Sequence, residues 1–204
     1  IFKILYYVHT MINIFFYIRD LNEIQKLNLQ KLKNISIIYR NYERKSYEKN
    51  AFEIHKICKM RGFKFFIANN YKFAIQIGAN GIYIPSFSKK MYTVSNPKID
   101  IIGSAHSSIE INQKIKQGCK KIFLSPIFQT KDYKKSKILG VHKFNNLRRL
   151  YENKAEIFAL GGINEKKFKY VISHNIKGIG SIGILEKEIN SRFLNALNLI
   201  ARKP

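Results

Sequence analysis

Residues 157–183 read IFALGGINEKKFKYVISHNIKGIGSIG: two short apolar runs, each opening into glycines, with a helical stretch of mixed polarity between them. The first run leads into Leu160-Gly161-Gly162-Ile163-Asn164, and the second is Gly178-Ile179-Gly180-Ser181-Ile182-Gly183. An apolar run without polar alternation suits a strand buried on both faces, as in a parallel sheet. Strand, helix and strand in so short a space form a βα unit. Glycine in both turns allows close approach of another group to the backbone, since no Cβ stands in the way.

Working outward, the same alternation fills the chain. Strand-like runs lie at 35–39, 63–68, 81–85, 101–105 and 121–126 upstream of the pair at 157–160 and 178–182, and Asn13–Ile18 supplies an eighth. Helical stretches separate them. Residues 46–61 carry Ala51, Ile54, Ile57 and Cys58 on one face, 107–117 carry Ile109, Ile111 and Ile115 before Gly118, and 188–201 end the chain. Eight strands alternating with helices in 204 residues predict a single (β/α)8 TIM barrel, one domain over 1–204. A doubly wound open sheet is the competing architecture, but no Gly-rich dinucleotide turn follows an early strand. In a barrel, the turns after strands seven and eight are where backbone N–H groups and a helix N-terminus bind phosphate.

Composition narrows the function classes. A hydrophobic share of 46% with 13% aromatics belongs to a chain that builds a core and excludes a disordered one. The 37 Lys and Arg against 13 Asp and Glu give a formal charge of +24, which attracts nucleic acid, anionic membrane or phosphorylated metabolites. The lysines are scattered over the whole length, and no nucleic-acid-binding motif accompanies them, so a specific nucleic-acid partner is not expected. Cys58 and Cys119 stand apart with no CxxC pair, which points away from a disulfide framework or zinc site and towards a reducing cytoplasm. Residues 1–18 are apolar but are interrupted by Lys3, His9 and Asn13, so a barrel strand is expected there and no membrane span.

Six segments in register then carry a resemblance. They are Ile38-Tyr39-Arg40, Ile67-Ala68-Asn69-Asn70 with Phe73-Ala74, Gly78-Ala79-Asn80-Gly81-Ile82-Tyr83, Gly103-Ser104-Ala105-His106-Ser107, Ser125-Pro126-Ile127-Phe128-Gln129-Thr130 and Ala159-Leu160-Gly161-Gly162-Ile163-Asn164. From about residue 35 to 184 the chain resembles the thiamine-phosphate synthase/TenI family. The resemblance implies a Mg²⁺-assisted transferase of thiamine biosynthesis. A hydroxymethylpyrimidine diphosphate loses pyrophosphate, and the ring nitrogen of a thiazole phosphate takes the carbon. It further implies that Arg40, Asn69 and Ser104 face the diphosphate. Thr130, with Lys131 and Lys134 from the lysine-rich loop, would meet the thiazole phosphate alongside the backbone of Gly162, Ile182 and Gly183.

The departures bear on the metal. Where the family has two carboxylates that bind Mg²⁺, this chain has Asn70 and, by spacing, Ser88; Tyr42 replaces a lysine, and the loop lysine is blurred among Lys131, Lys134, Lys135 and Lys137. Mg²⁺ prefers carboxylate oxygen, so the expected site is weak or lost, with nearby lysines such as Lys89 and Lys90 neutralising part of the anion. TenI-type tautomerases use a histidine where this chain has Pro126, which argues against tautomerase chemistry. His106 is the candidate for proton transfer, because an imidazole titrates near neutrality; His142 is a second. Two alternatives stay open: a non-catalytic barrel that binds thiazole phosphate or thiamine phosphate, and a basic nucleic-acid-binding protein. Homo-oligomer formation is open as well.

Overall fold

A computed structural model of the chain describes residues 11–42, 46–92, 98–130 and 138–203. Eight strands close into a parallel barrel in sequence order: β1 (Asn13–Ile18), β2 (Ser36–Tyr39), β3 (Lys64–Ala68), β4 (Gly81–Ile84), β5 (Asp100–Ala105), β6 (Lys121–Leu124), β7 (Glu156–Leu160) and β8 (Gly178–Ser181). The expected TIM barrel is present, and β1 closes it by pairing with both β2 and β8. Seven helices surround it among the described residues: α1 (Glu23–Lys31), α2 (Tyr47–Arg61), α3 (Tyr71–Ile77), α4 (Ser108–Lys116), α5 (Gly140–Tyr151), α6 (Glu165–Ile172) and α7 (Ser191–Ile200). None of these lies between β4 and β5. No helix of the described residues is long and apolar enough to cross a membrane.

Five of the seven described helices start where a side chain satisfies a free N–H group; α2 and α5 have no side-chain cap. Asn22 and Gln25 form a reciprocal capping box at α1, and Asn70, Ser107, Asn164 and Asn190 each accept a backbone N–H at the start of α3, α4, α6 and α7. Gly62 and Gly78 end α2 and α3 in the left-handed conformation. The last helix is pinned back on the barrel: Ile12 donates to Ile200 O and Arg202 donates to Ile12 O, both at 2.8 Å.

Apolar residues of the strands form two cores, as the double-sided burial of a parallel barrel requires. One lies between sheet and helices. The other fills the barrel and consists largely of rings: Phe15, Tyr17, Phe66, Tyr83, Phe123 and Phe158. Phe15 stands 5.1 Å from Phe123, edge to face, and Tyr17 stands 5.4 Å from Tyr83 in the same manner. Each such pair contributes roughly 0.5–1.5 kcal/mol beyond its buried area. These rings fit because two glycines of β8 present no side chain to three of them. A Cβ on Gly178 would lie 2.8 Å from the Phe158 ring, and one on Gly180 would lie 3.0 Å from both Phe123 and Tyr17. Two glycines that the sequence pattern assigns to a phosphate turn therefore serve the aromatic interior.

The helix faces need one revision. In α4 Ile111 is buried and Ile115 packs against the core, but Ile109 is 78% exposed and Lys114 is 0% exposed. Positions three apart share a face, whereas Ile109 sits two residues from Ile111 and so points to the far side. In α2, Ala51, Ile54 and Cys58 are buried as expected with Ile57 packed against them, and His55 joins this face, stacked 5.1 Å from Phe65.

Candidate functional site at the strand C-termini

The barrel interior ends, at the C-terminal side, in a polar floor. Tyr17 and Tyr83 are its uppermost rings, and the Arg40 guanidinium lies 5.8 Å from the centroid of Tyr17. Ser104, at the end of β5, accepts from the Tyr83 hydroxyl at 2.7 Å and from Ser86 N at 3.1 Å. Burial, reinforced by the neighbouring Tyr83 phenol, pushes the Tyr17 hydroxyl well above the usual tyrosine range, with Arg40 opposing it. Burial raises Tyr83 too, against its hydrogen bond with Ser104 and the Arg40 charge, which lower it. Both phenols remain protonated donors. The Tyr17 hydroxyl is buried and has no hydrogen-bond partner of good geometry among the described residues. A donor left so costs about 1–3 kcal/mol, which a ligand atom on the floor can relieve.

Asn69 follows β3 in the left-handed conformation, with φ of 56°. Its Oδ1 accepts from the Ser88 hydroxyl at 3.0 Å and the Tyr92 hydroxyl at 3.2 Å, so the amide nitrogen is the group it can turn to an anion. Arg40, Asn69 and Ser104 thus stand on one rim, each just past or at the end of its strand. A cleft of about 580 Å³ opens beside Asn69, lined also by Asn41, Tyr42, Tyr47, Glu48 and Asn70.

The residues at the metal positions are otherwise engaged. Asn70 Oδ1 accepts from Phe73 N at 3.2 Å as the cap of α3, and Ser88 spends its hydroxyl on Asn69. Among the described residues no group of three or more His, Cys, Asp or Glu could hold a metal ion. Glu48 is one carboxylate in the cleft, and the other oxygen donors there are amides and hydroxyls. This donor set does not fit Mg²⁺, which takes carboxylates and near-octahedral oxygen.

His106 is a strut. Its Nδ1 faces Ser125 O at 2.8 Å and must carry the proton to donate there, while Nε2 meets Ser86 Oγ at 3.1 Å. Both nitrogens are occupied in tying the ends of β4 and β6 together. His142 is exposed on α5.

Across the mouth, Thr130 Oγ1 is buried without a partner among the described residues. Lys131 and Lys134 fall outside the described residues, as do Lys135 and Lys137. Gly162 and Gly183 play different parts. Gly162 has φ of 68°, and a Cβ there would lie 2.6 Å from Gln129 O, so its lack of a side chain is required by the strand-six loop packed on it. At Gly183 a Cβ would find only Glu186 Oε2, at 3.8 Å, which leaves space over its backbone for a ligand. Ile182 is 40% exposed beside it. The segment after β8 is held from behind by Asn28, buried in α1, whose Nδ2 donates to Leu185 O at 3.1 Å and Lys187 O at 2.8 Å while its Oδ1 accepts from Ile189 N at 3.3 Å.

The thiamine monophosphate synthase family model matches residues 18–184, which takes in strands β2 to β8 and the site residues from Asn28 to Gly183. The chain belongs to that family. A thiamine-phosphate synthase of Prochlorococcus marinus subsp. pastoris is 31% identical over 171 residues, covering 82% of this chain and 47% of that protein. The chain thus spans about half the length of that curated relative. The thiamine-phosphate synthase of Flavobacterium johnsoniae is 29% identical over 167 residues, covering 78% of this chain and 79% of the relative. Among solved structures, thiamine phosphate pyrophosphorylase from Pyrococcus furiosus superposes with a TM-score of 0.70 at 18% identity, over 93% of this chain and 95% of that one. Native KDPGal superposes with a TM-score of 0.62 at 12% identity, over 95% of this chain and 93% of that one, so the barrel alone does not select a chemistry.

Sequence reasoning missed Tyr17, Ser86, Ser125 and Asn28 at this site. Tyr17 was concealed as one more ring in an apolar strand. Asn28 carries no local signal at all, since its partners lie 157 to 161 residues away.

Proposed function

We propose that this barrel couples a hydroxymethylpyrimidine diphosphate to a thiazole phosphate and releases pyrophosphate. The C–O bond to the diphosphate breaks with its electron pair leaving on pyrophosphate, and the lone pair of the thiazole nitrogen forms the new C–N bond. Such a reaction needs donors where negative charge gathers and close alignment of the two ligands, with no covalent nucleophile. Arg40, the Asn69 amide nitrogen and Ser104 would meet the leaving pyrophosphate, and the Thr130 hydroxyl and the Gly183 backbone the thiazole phosphate. The observation that supports the reading most is the gathering of Arg40, Asn69 and Ser104 from three strands onto one rim above the phenols of Tyr17 and Tyr83. His106, held at both nitrogens, acts as a brace and transfers no proton in this step.

With Asn70 and Ser88 in place of carboxylates, lysines around the mouth take part of the charge that Mg²⁺ would neutralise, and activity depends weakly on Mg²⁺. The substrates are phosphorylated heterocycles, and the compartment is a reducing cytoplasm, in keeping with two buried free thiols. The test is formation of thiamine phosphate from the two substrates as Mg²⁺ is titrated, in the wild type and in the Asn70→Asp/Ser88→Asp variant. Mg²⁺ dependence should be shallow in the first and steep in the second. A steep dependence in the wild type removes the lysine argument. Absence of product at every Mg²⁺ concentration, with thiazole phosphate still bound, favours the second reading, a binding protein; the engagement of Asn70 as a helix cap is the observation on its side.

A further inference from the structure

Lys114 is the most deeply buried charged residue described, at 0% exposure, and it lies on the barrel-facing side of α4. Its stem passes β5 where a side chain would otherwise stand: a Cβ on Gly103 would be 3.0 Å from Lys114 Cδ. Its head reaches the loop after β4. Lys114 Nζ donates to Ser88 O and to Gln117 Oε1, both at 2.9 Å, and Gln117 Nε2 donates in turn to Ser88 O at 3.0 Å and Lys90 O at 2.8 Å. Burial lowers the Lys114 pKa, and nearby Cys119 and Glu110 act to raise it. An apolar side chain would fill this space without desolvating an amine. What the lysine supplies instead, together with Gln117, is a fixed attachment for two carbonyls of one loop, Ser88 O and Lys90 O.

That loop leads back to the site. Ser88, gripped through its carbonyl, gives its hydroxyl to Asn69 Oδ1 at 3.0 Å, and Asn69 sits in a left-handed conformation with φ of 56° that a non-glycine residue holds only when its surroundings fix it. We propose that Lys114 and Gln117 form a buried latch that positions residues 86–91 after β4, and that through Ser88 this latch sets the orientation in which the Asn69 amide meets the diphosphate. The inference rests on the coupling reaction proposed above. Lys114 touches no substrate and is a positioning residue. The chain of contacts runs from helix α4 through a loop carbonyl and a serine hydroxyl to the amide, and each link is a hydrogen bond of 3.0 Å or less.

A double-mutant cycle tests it. Lys114→Met keeps the stem and removes the donor, and Ser88→Ala breaks the contact to Asn69 without touching the latch. Each should lower kcat/KM for the pyrimidine diphosphate by roughly tenfold in folded protein, and the double variant by roughly the same tenfold, because both cut one chain of contacts. Independent effects, about a hundredfold in the double variant, overturn the latch, as does a Lys114→Met protein that melts lower but turns over within about twofold of wild type. If Lys114→Met does not fold, Gln117→Leu replaces it in the same cycle. Hydrogen exchange of residues 86–91 and pyrophosphate binding provide readouts that need no turnover. A wild type that makes no thiamine phosphate defeats the coupling reaction, and the latch is then decided by whether Lys114→Met speeds exchange at 86–91 and weakens pyrophosphate binding; unchanged exchange overturns it.

Discussion

The two halves of the rim are built on different plans. Over β2–β5 the polar groups are side chains held by other side chains, Tyr83 on Ser104 and both Ser88 and Tyr92 on Asn69, with Lys114 and Gln117 gripping Ser88 from behind through its carbonyl. Over β7–β8 the surface proposed for the thiazole phosphate is backbone, shaped by Gly162 against Gln129 and by Asn28 behind residues 185–189. The first half can be altered one donor at a time. The second responds only when the path of the chain moves. In the coupling proposed above, a diphosphate that must leave and a phosphate that must stay would make these different demands: the first calls for charge concentrated where the bond breaks, the second for a fixed cradle.

The comparison is broken most directly at Arg40. Arg40→Ala should lower kcat/KM for the diphosphate substrate by about 100-fold or more while leaving the affinity for thiazole phosphate within a few-fold of wild type. Steady-state kinetics with each substrate varied in turn checks it, and an equal loss for both substrates would merge the two halves. The glycine pair sharpens the other side. Gly162→Ala forces a Cβ to within 2.6 Å of Gln129 O at a positive φ, so it should cost about 2 kcal/mol or more in stability. Gly183→Ala meets open space, leaves the melting temperature unchanged and weakens thiazole phosphate binding. Thermal melts paired with ligand titration separate the two, and a destabilised Gly183→Ala would show that its backbone is as crowded as that of Gly162.

Smaller effects follow from the supports. Asn28→Leu removes three hydrogen bonds, two of them buried, and leaves two carbonyls and one N–H to find others, which amounts to about 2 kcal/mol. KM for thiazole phosphate should rise with little change for the diphosphate, and the reverse pattern would reassign the loop. The smallest effect is at His55, far from the rim. Burial, and then Lys59, lower its pKa. As pH falls through about 6.5, the unfolded chain takes up a proton that the folded one resists. Stability contributed by the neutral ring is therefore present above that pH and is lost below it. His55→Phe should flatten the decline in melting temperature between pH 7 and 5, and an unchanged slope would place the acid sensitivity elsewhere.

The strands were legible because each is apolar throughout, and even Asn13–Ile18 was assigned from the need to close the sheet. The positions of Arg40, Asn69 and Ser104 at strand ends were legible because the apolar runs before them are, while their roles come from the family resemblance and belong to the proposal. Three things were hidden, each for a non-local reason. Lys114 reads as a solvated helix lysine unless one knows that Gly103 leaves it a channel. Gly178 and Gly180 read as part of a phosphate turn unless the Phe158, Phe123 and Tyr17 rings are seen beside them. Asn70 reads as a degraded metal ligand, while its hydrogen bond to Phe73 N makes it a helix cap.

The aromatic interior has an optical consequence. The chain has 12 tyrosines and no tryptophan, so tyrosine emission is not drained by energy transfer to an indole. Tyr17 and Tyr83 are fixed edge to face at 5.4 Å in a buried, chiral setting directly under the rim, an arrangement that gives coupled near-ultraviolet circular dichroism. A ligand atom that accepts the Tyr17 hydroxyl changes that signal from beneath, so the floor of the barrel is a built-in spectroscopic probe of occupancy that requires no label.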